Sequence, residues 1–155
     1  MSDVSQTLVI DSPVSRVWQV LSDTGRYSEW VESCIAVTYH HGPAALGGIY
    51  RERNHFLGPF KTGTTWTVAE LDPPRYRRDV GAGMPLLTGL EAIFELEPVA
   101  GGDGREQTRL TYRNRYRVAL GPLGRAIDRL QRPSLEAMMK RSMDTLAEVV
   151  QGTNR

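Results

Sequence analysis

The stretch Gly121–Val150, GPLGRAIDRLQRPSLEAMMKRSMDTLAEVV, decides how the rest of the chain is read. Apolar residues recur through it at helical spacing: Leu123, Ile127, Leu130, Leu135, Met138, Met139, Met143, Leu146, Val149 and Val150. Such recurrence marks one long amphipathic helix. Gly121-Pro122 opens it. Pro133 removes a backbone hydrogen bond and clashes with the preceding turn, which predicts a kink or break near Arg129–Arg132.

Upstream of the helix the period changes to two. Strands are predicted at 33–41, 47–57, 60–72, 75–81, 88–98 and 106–118. Their links carry turn chemistry, including Gly42-Pro43, Gly58-Pro59, Asp72-Pro73-Pro74, Met84-Pro85 and Gly101-Gly102-Asp103-Gly104. Short links favour hairpins and hence an antiparallel meander. The last strand alternates most clearly. Leu110, Tyr112, Asn114, Tyr116 and Val118 are expected to face the helix, and Arg109, Thr111, Arg113, Arg115 and Arg117 to face water. At the other end, Val4–Ile10 reads as a strand that Asp11-Ser12-Pro13 stops, with Ser12 as the expected helix cap. Val14, Val17, Trp18 and Leu21 form a helical stripe, and a second short helix carries Tyr27, Trp30 and Val31. A long helix after a run of antiparallel strands lays its stripe across the sheet, and a curved sheet gripping a helix leaves room for a cavity.

This order resembles the START-related helix-grip fold, and more narrowly the bacterial polyketide cyclase/dehydrase-like members of the SRPBCC superfamily. The likeness rests on Asp11-Ser12-Pro13 with Val17-Trp18 and Leu21-Ser22-Asp23, then Tyr27 with Trp30 and Gly47-Gly48. It continues through Val68-Ala69-Glu70-Leu71-Asp72-Pro73-Pro74 and Gly121-Pro122-Leu123-Gly124. The resemblance implies an α+β, Bet v 1-like fold: seven curved antiparallel strands wrapped around the C-terminal helix, with two short helices after the first strand. The family includes aromatase/cyclases, carriers of hydrophobic ligands and regulators. Its catalytic residues form no short portable motif, and fold alone does not give function.

Composition fits one domain over residues 1–155, with 40% hydrophobic and 24% charged residues. The net charge of +1 supplies no global field for nucleic acid. The lone Cys34 excludes an internal disulfide and fits a reducing cytoplasm. The N-terminal MSDVSQTLVID lacks the pattern of a signal peptide, and no apolar run is long enough for a membrane span.

Neither metal nor nucleotide motifs occur, so no cofactor is expected. His40 and His41 are adjacent and point to opposite faces of a strand, which prevents joint chelation. Candidate chemistry falls instead on inward polar residues. Tyr112 and Asn114 are the leading catalytic candidates by position, and Glu52 and His55 join them on chemistry alone. Ligand contacts are expected from Trp30, Tyr50, Phe56, Trp66, Phe94, Tyr116, Met138, Met139 and Met143. Core packing is the competing reading for Trp30, Trp66, Phe94, Tyr112, Tyr116 and the three methionines, and a solvated strand face for residues 47–57. On residues 47–57, the face with Tyr50, Glu52, Asn54 and Phe56 is favoured over the face with Arg51, Arg53 and His55. The arginines Arg75, Arg77, Arg78, Arg109, Arg113, Arg115 and Arg117 suggest a basic patch. Glu70, Asp72, Asp79, Glu95 and Glu97 interleave with them, which favours ion-pair ladders over nucleic-acid binding. The apolar tips Leu57-Gly58-Pro59-Phe60 and Gly81–Leu87 raise cavity gating, a homodimer contact or a membrane-surface touch. Two functions follow: cofactor-free cyclisation, aromatisation or dehydration of a polyketide-type intermediate, or carriage and sensing of a lipid, quinone or similar apolar ligand.

Overall fold

The computed structural model describes residues 1–56 and 59–152. Leu57 and Gly58 of the first expected hairpin tip lie outside the described residues. Seven strands form one antiparallel sheet: β1 (Ser2–Ile10), β2 (Cys34–Tyr39), β3 (Ile49–His55), β4 (Lys61–Asp72), β5 (Tyr76–Ala82), β6 (Leu87–Ala100) and β7 (Glu106–Val118). Their order across the sheet is β1-β7-β6-β5-β4-β3-β2. The meander is closed by β1, which pairs along β7 from Ser2↔Tyr116 to Ile10↔Thr108. Two helices, α1 (Val14–Ser22) and α2 (Tyr27–Trp30), follow β1, and α3 (Gly121–Gly152) ends the fold. This is the helix-grip architecture. None of the described helices is long and apolar enough to cross a membrane.

Strand period two sorts the side chains. On β3, Tyr50, Glu52 and Asn54 are buried while Arg51, Arg53 and His55 are exposed. On β7, Thr108, Leu110, Tyr112 and Tyr116 are buried. The outer face carries the expected ladders: Arg78 pairs with Glu70 and Glu91, Arg109 with Glu97, and Arg113 and Arg115 with Asp3. The long strands curl because their pairing slips in places. Gly89 takes φ 61° where the β6–β7 register shifts between Thr88 and Glu91, a bulge that bends the sheet around α3.

The helix differs from its sequence pattern. Its second half is anchored by Met139, Met143, Leu146 and Val150, each at most 2% exposed. Full burial of side chains this size contributes about 1.5–3 kcal/mol each. Its first half stands off the sheet, with Leu123 and Leu130 pointing to solvent at 61% and 79% exposure. The helix runs through Pro133 as one element, so the expected break is absent. Ser12 does not occupy the cap of α1. Pro13 does, and its carbonyl takes the Arg16 and Val17 amides.

Arg77 and Asp79 correct the sequence reading of a surface patch. Both are fully buried and form an ion pair at 2.9 Å. The Tyr50 hydroxyl donates to Asp79 Oδ2 at 2.5 Å, and Arg77 Nη1 donates to the Leu21 carbonyl at 3.1 Å. The guanidinium also lies over the Phe94 ring at 4.8 Å and the Tyr27 ring at 5.5 Å. Alternation alone assigns residues 77 and 79 to one face. It does not say which face, and the neighbouring arginines suggested the wrong one.

Candidate functional site

Where the first half of α3 stands off the sheet, a cavity of about 350 Å³ remains. Ile127, Leu135 and Met138 form its helical side; Leu87, Leu90 and Val118 form part of the sheet side; and Met84, Pro85 and Leu86 come from the β5–β6 turn. Polar groups gather on the strand wall. Glu52 and Asn54 come from β3, Trp66 from β4, and Tyr112, Asn114 and Tyr116 from β7. An apolar chamber with a few polar groups on one wall is the usual form of a small-molecule site.

Glu52 is the central polar group. The Trp66 Nε1–H donates to its Oε1 at 2.8 Å. Burial raises its pKa above the ordinary carboxylate value, and the hydrogen bonds from Trp66, Asn54 and Cys34 offset only part of that. Burial likewise pushes the Tyr112 hydroxyl up to about 12, with the Glu52 and Asp79 charges adding to the effect. Tyr112 therefore stays protonated and able to donate. Burial and the Glu52 charge push the Cys34 thiol up to about 12, which denies it a nucleophilic thiolate. Asn54 Nδ2 donates to Thr64 Oγ1 at 2.9 Å, and Asn114 Nδ2 lies 3.7 Å from Met139 Sδ.

A second polar cluster fastens the helix. The Tyr116 hydroxyl donates to Asp128 Oδ1 at 2.5 Å, Ser2 Oγ donates to Oδ2 at 2.6 Å, and Arg132 lies 3.5 Å away. Burial acts to raise the Asp128 pKa, yet these partners together hold it below the ordinary range. Among the described residues, no group of three or more His, Cys, Asp or Glu side chains is placed to hold a metal.

Residues 1–151 match the family model described as polyketide cyclase/dehydrase and lipid transport. The chain belongs to this family. Solved structures similar to this cyclase/dehydrase-family protein include a conserved protein from Geobacillus kaustophilus, with TM-score 0.73 and 17% identity over 98% of this chain and 97% of that one. The Zhui aromatase/cyclase from a Streptomyces species has TM-score 0.69 and 18% identity over 99% and 96%. A Thermus thermophilus protein has TM-score 0.71 and 17% identity over 99% and 100%. At such identities these structures support the fold alone. No curated protein is significantly similar in sequence.

In this family member the cavity gathers Glu52, Tyr112, Asn114, Phe56, Trp66, Tyr116 and Met138 from the sequence candidates. His55 also lines it, but from the outward register of β3, where its side chain is exposed. Trp30, Tyr50, Phe94, Met139 and Met143 lie outside the lining and pack the core behind it. Phe94 stacks flat on Tyr112 at 4.7 Å between centroids, and Trp30 meets the same two rings edge-on. Tyr50 stacks 6.4 Å from Trp66. These rings therefore brace the wall without reaching the chamber. Sequence reading missed Asp128, Gln131 and Ser134, because their helical phase shows only once α3 is docked.

Gly81 is required by this wall. It pairs with Trp66 across β4–β5, and a Cβ there would fall 2.8 Å from Trp66 Cζ3 and 2.9 Å from Leu90 Cδ2. Gly81→Ala should tilt the indole away from Glu52. The expected cost is about 1–3 kcal/mol by urea denaturation, with altered tryptophan emission. Unchanged stability and emission would show that the indole has room to spare.

Proposed function

We propose that the protein encloses an apolar, polyketide-like molecule between sheet and α3 and catalyses its cofactor-free cyclisation or dehydration. The observation that carries this reading is Glu52: a buried carboxylate with a raised pKa, set in the wall of a largely apolar chamber. The family description supports the class of chemistry.

The chemistry runs on containment. The chamber folds a flexible chain so that an activated CH₂ faces one of its own carbonyls. The Glu52 carboxylate takes a proton from that carbon, and the resulting enolate carbon forms a bond to the carbonyl carbon. Tyr112, with Asn114 beside it, donates to the carbonyl oxygen as negative charge develops there. Glu52 returns the proton it took to that oxygen, which becomes a hydroxyl and leaves Glu52 ionised again. In the dehydration Glu52 takes a second proton from the neighbouring carbon and delivers it to the departing hydroxyl, which leaves as water as the carbon–carbon double bond forms. His55 at the mouth exchanges protons with solvent.

A carrier of an apolar ligand is the second reading. It is favoured by the transport half of the family description and by Tyr116, whose hydroxyl is already engaged by Asp128. Two measurements separate the readings. Native mass spectrometry of protein from its own host should show a bound apolar molecule. Tyr112→Phe should keep that molecule while turnover of a poly-β-keto thioester mimic falls about a hundredfold. Retention of ligand with no turnover by the parent protein would establish the carrier; absence of any ligand would remove both readings.

A further inference from the structure

The cavity mouth carries leucines held outward against the preference of the backbone. Leu86 and Leu120 are the two non-glycine residues with positive φ among the described residues, at 65° and 87°. A residue with a Cβ is disfavoured there, and strain of this kind concentrates at functional positions. Both side chains are exposed, at 44% and 49%. The Ala119 amide donates to the Leu86 carbonyl at 2.8 Å, which brings the two turns together. Gly124 seats the start of α3 on the Ala119 carbonyl, leaving Leu123 exposed beside them. Leu130 continues the same flank of the helix, next to the face that lines the cavity.

Charge accompanies this apolar rim. Arg117, Arg125 and Arg129 are exposed, and none has an ion-pair partner among the described residues. Their neighbours Arg113 and Arg115 are engaged by Asp3, and Arg132 by Asp128. The carboxylates on the first half of α3 are Asp128, which is held by Ser2 and Tyr116, and Glu136. Arg117 and Arg125 gather with Gly121 and Gly124 at the start of α3, next to the turn that carries Leu120, so free positive charge borders the exposed leucines there.

We propose that this rim docks on an anionic lipid bilayer. Leu86, Leu120 and Leu123 enter the interface while Arg117 and Arg125 meet lipid phosphates. Protruding leucines on two turns and a helix end suit a soft surface. Because Leu86 and Val118 also line the cavity, docking sets its mouth against the bilayer, and an apolar ligand passes without crossing water. The proposal holds whether the cavity catalyses or only carries.

Flotation of the full-length protein with vesicles tests it. Binding to phosphatidylserine-containing vesicles should exceed binding to pure phosphatidylcholine about tenfold and weaken in high salt. The double variant Leu86→Gly/Leu120→Gly relieves the backbone strain, so Tm should hold or rise. Its vesicle binding should nonetheless drop about tenfold or more. Leu123→Ser, at an exposed helical position, should also weaken binding. The proposal is overturned by absence of vesicle binding, by equal binding to neutral vesicles, or by full binding of the glycine variant. A dimer that the glycine pair dissolves, without vesicle binding, would assign the rim to a second copy instead.

Discussion

Arg77→Met should cost about 3–5 kcal/mol of folding stability in urea denaturation. Arg77 and Asp79 are both 0% exposed, so the substitution leaves a carboxylate in the interior with the Tyr50 hydroxyl as its remaining partner. It also removes the donor to the Leu21 carbonyl and the cation over Phe94 and Tyr27. The pH dependence gives a second signature. Burial already raises the Asp79 pKa, and Arg77 is the largest influence opposing it. Without Arg77 the folded-state pKa moves further above that of the unfolded chain. The folded form then binds more protons, so the variant's stability falls as pH rises through that window and recovers in acid. Arg77→Met/Asp79→Leu should regain most of the loss, because a pair replaced by apolar groups leaves no charge stranded. A single-variant cost below about 1 kcal/mol would show that the interior solvates Asp79 by other means.

Glu52→Gln should separate activity from stability. Turnover of a cyclising substrate should fall by about 10²–10⁴, the usual worth of a positioned acid–base group. Stability should move the other way. Burial raises the Glu52 pKa, so the ionised carboxylate disfavours the folded state above that pKa. Glutamine is neutral and keeps an oxygen for the Trp66 Nε1–H, now 2.8 Å from Glu52 Oε1. At neutral pH the variant should be the more stable of the two, with a raised Tm. The gain should vanish on acidification, where the parent carboxyl is itself protonated. In the parent, activity should rise with pH as Glu52 ionises while stability falls through the same interval. A variant that turns over normally would remove Glu52 from the mechanism.

The predicted strands and the observed ones agree within a few residues because the alternation is strong and glycine and proline mark the turns. The buried side of β7 was legible for the same reason: Leu110, Tyr112 and Tyr116 alternate with arginines. On β3 the aromatic Tyr50 and Phe56 favoured one face, and Tyr50 and Glu52 of that face are buried. Phe94, Met139 and Met143 were a different problem. A residue type that suits a cavity wall also suits the core behind it, and the sequence carries no measure of depth.

By itself the sequence determined the antiparallel meander and the long closing helix, because periodicity and turn chemistry are local properties of the chain. Tertiary structure alone decided where that helix lies close and where it stands off. The anchor at Met139–Val150 and the gap beneath Ile127–Met138 belong to one continuous apolar pattern, yet the second half buries its apolar side chains while the first half is held to the sheet through Asp128 and leaves the cavity beneath it. Tertiary structure also turned Arg77 and Asp79 inward, since the sheet's curvature, set by distant pairings, selects which of two equivalent strand faces is enclosed.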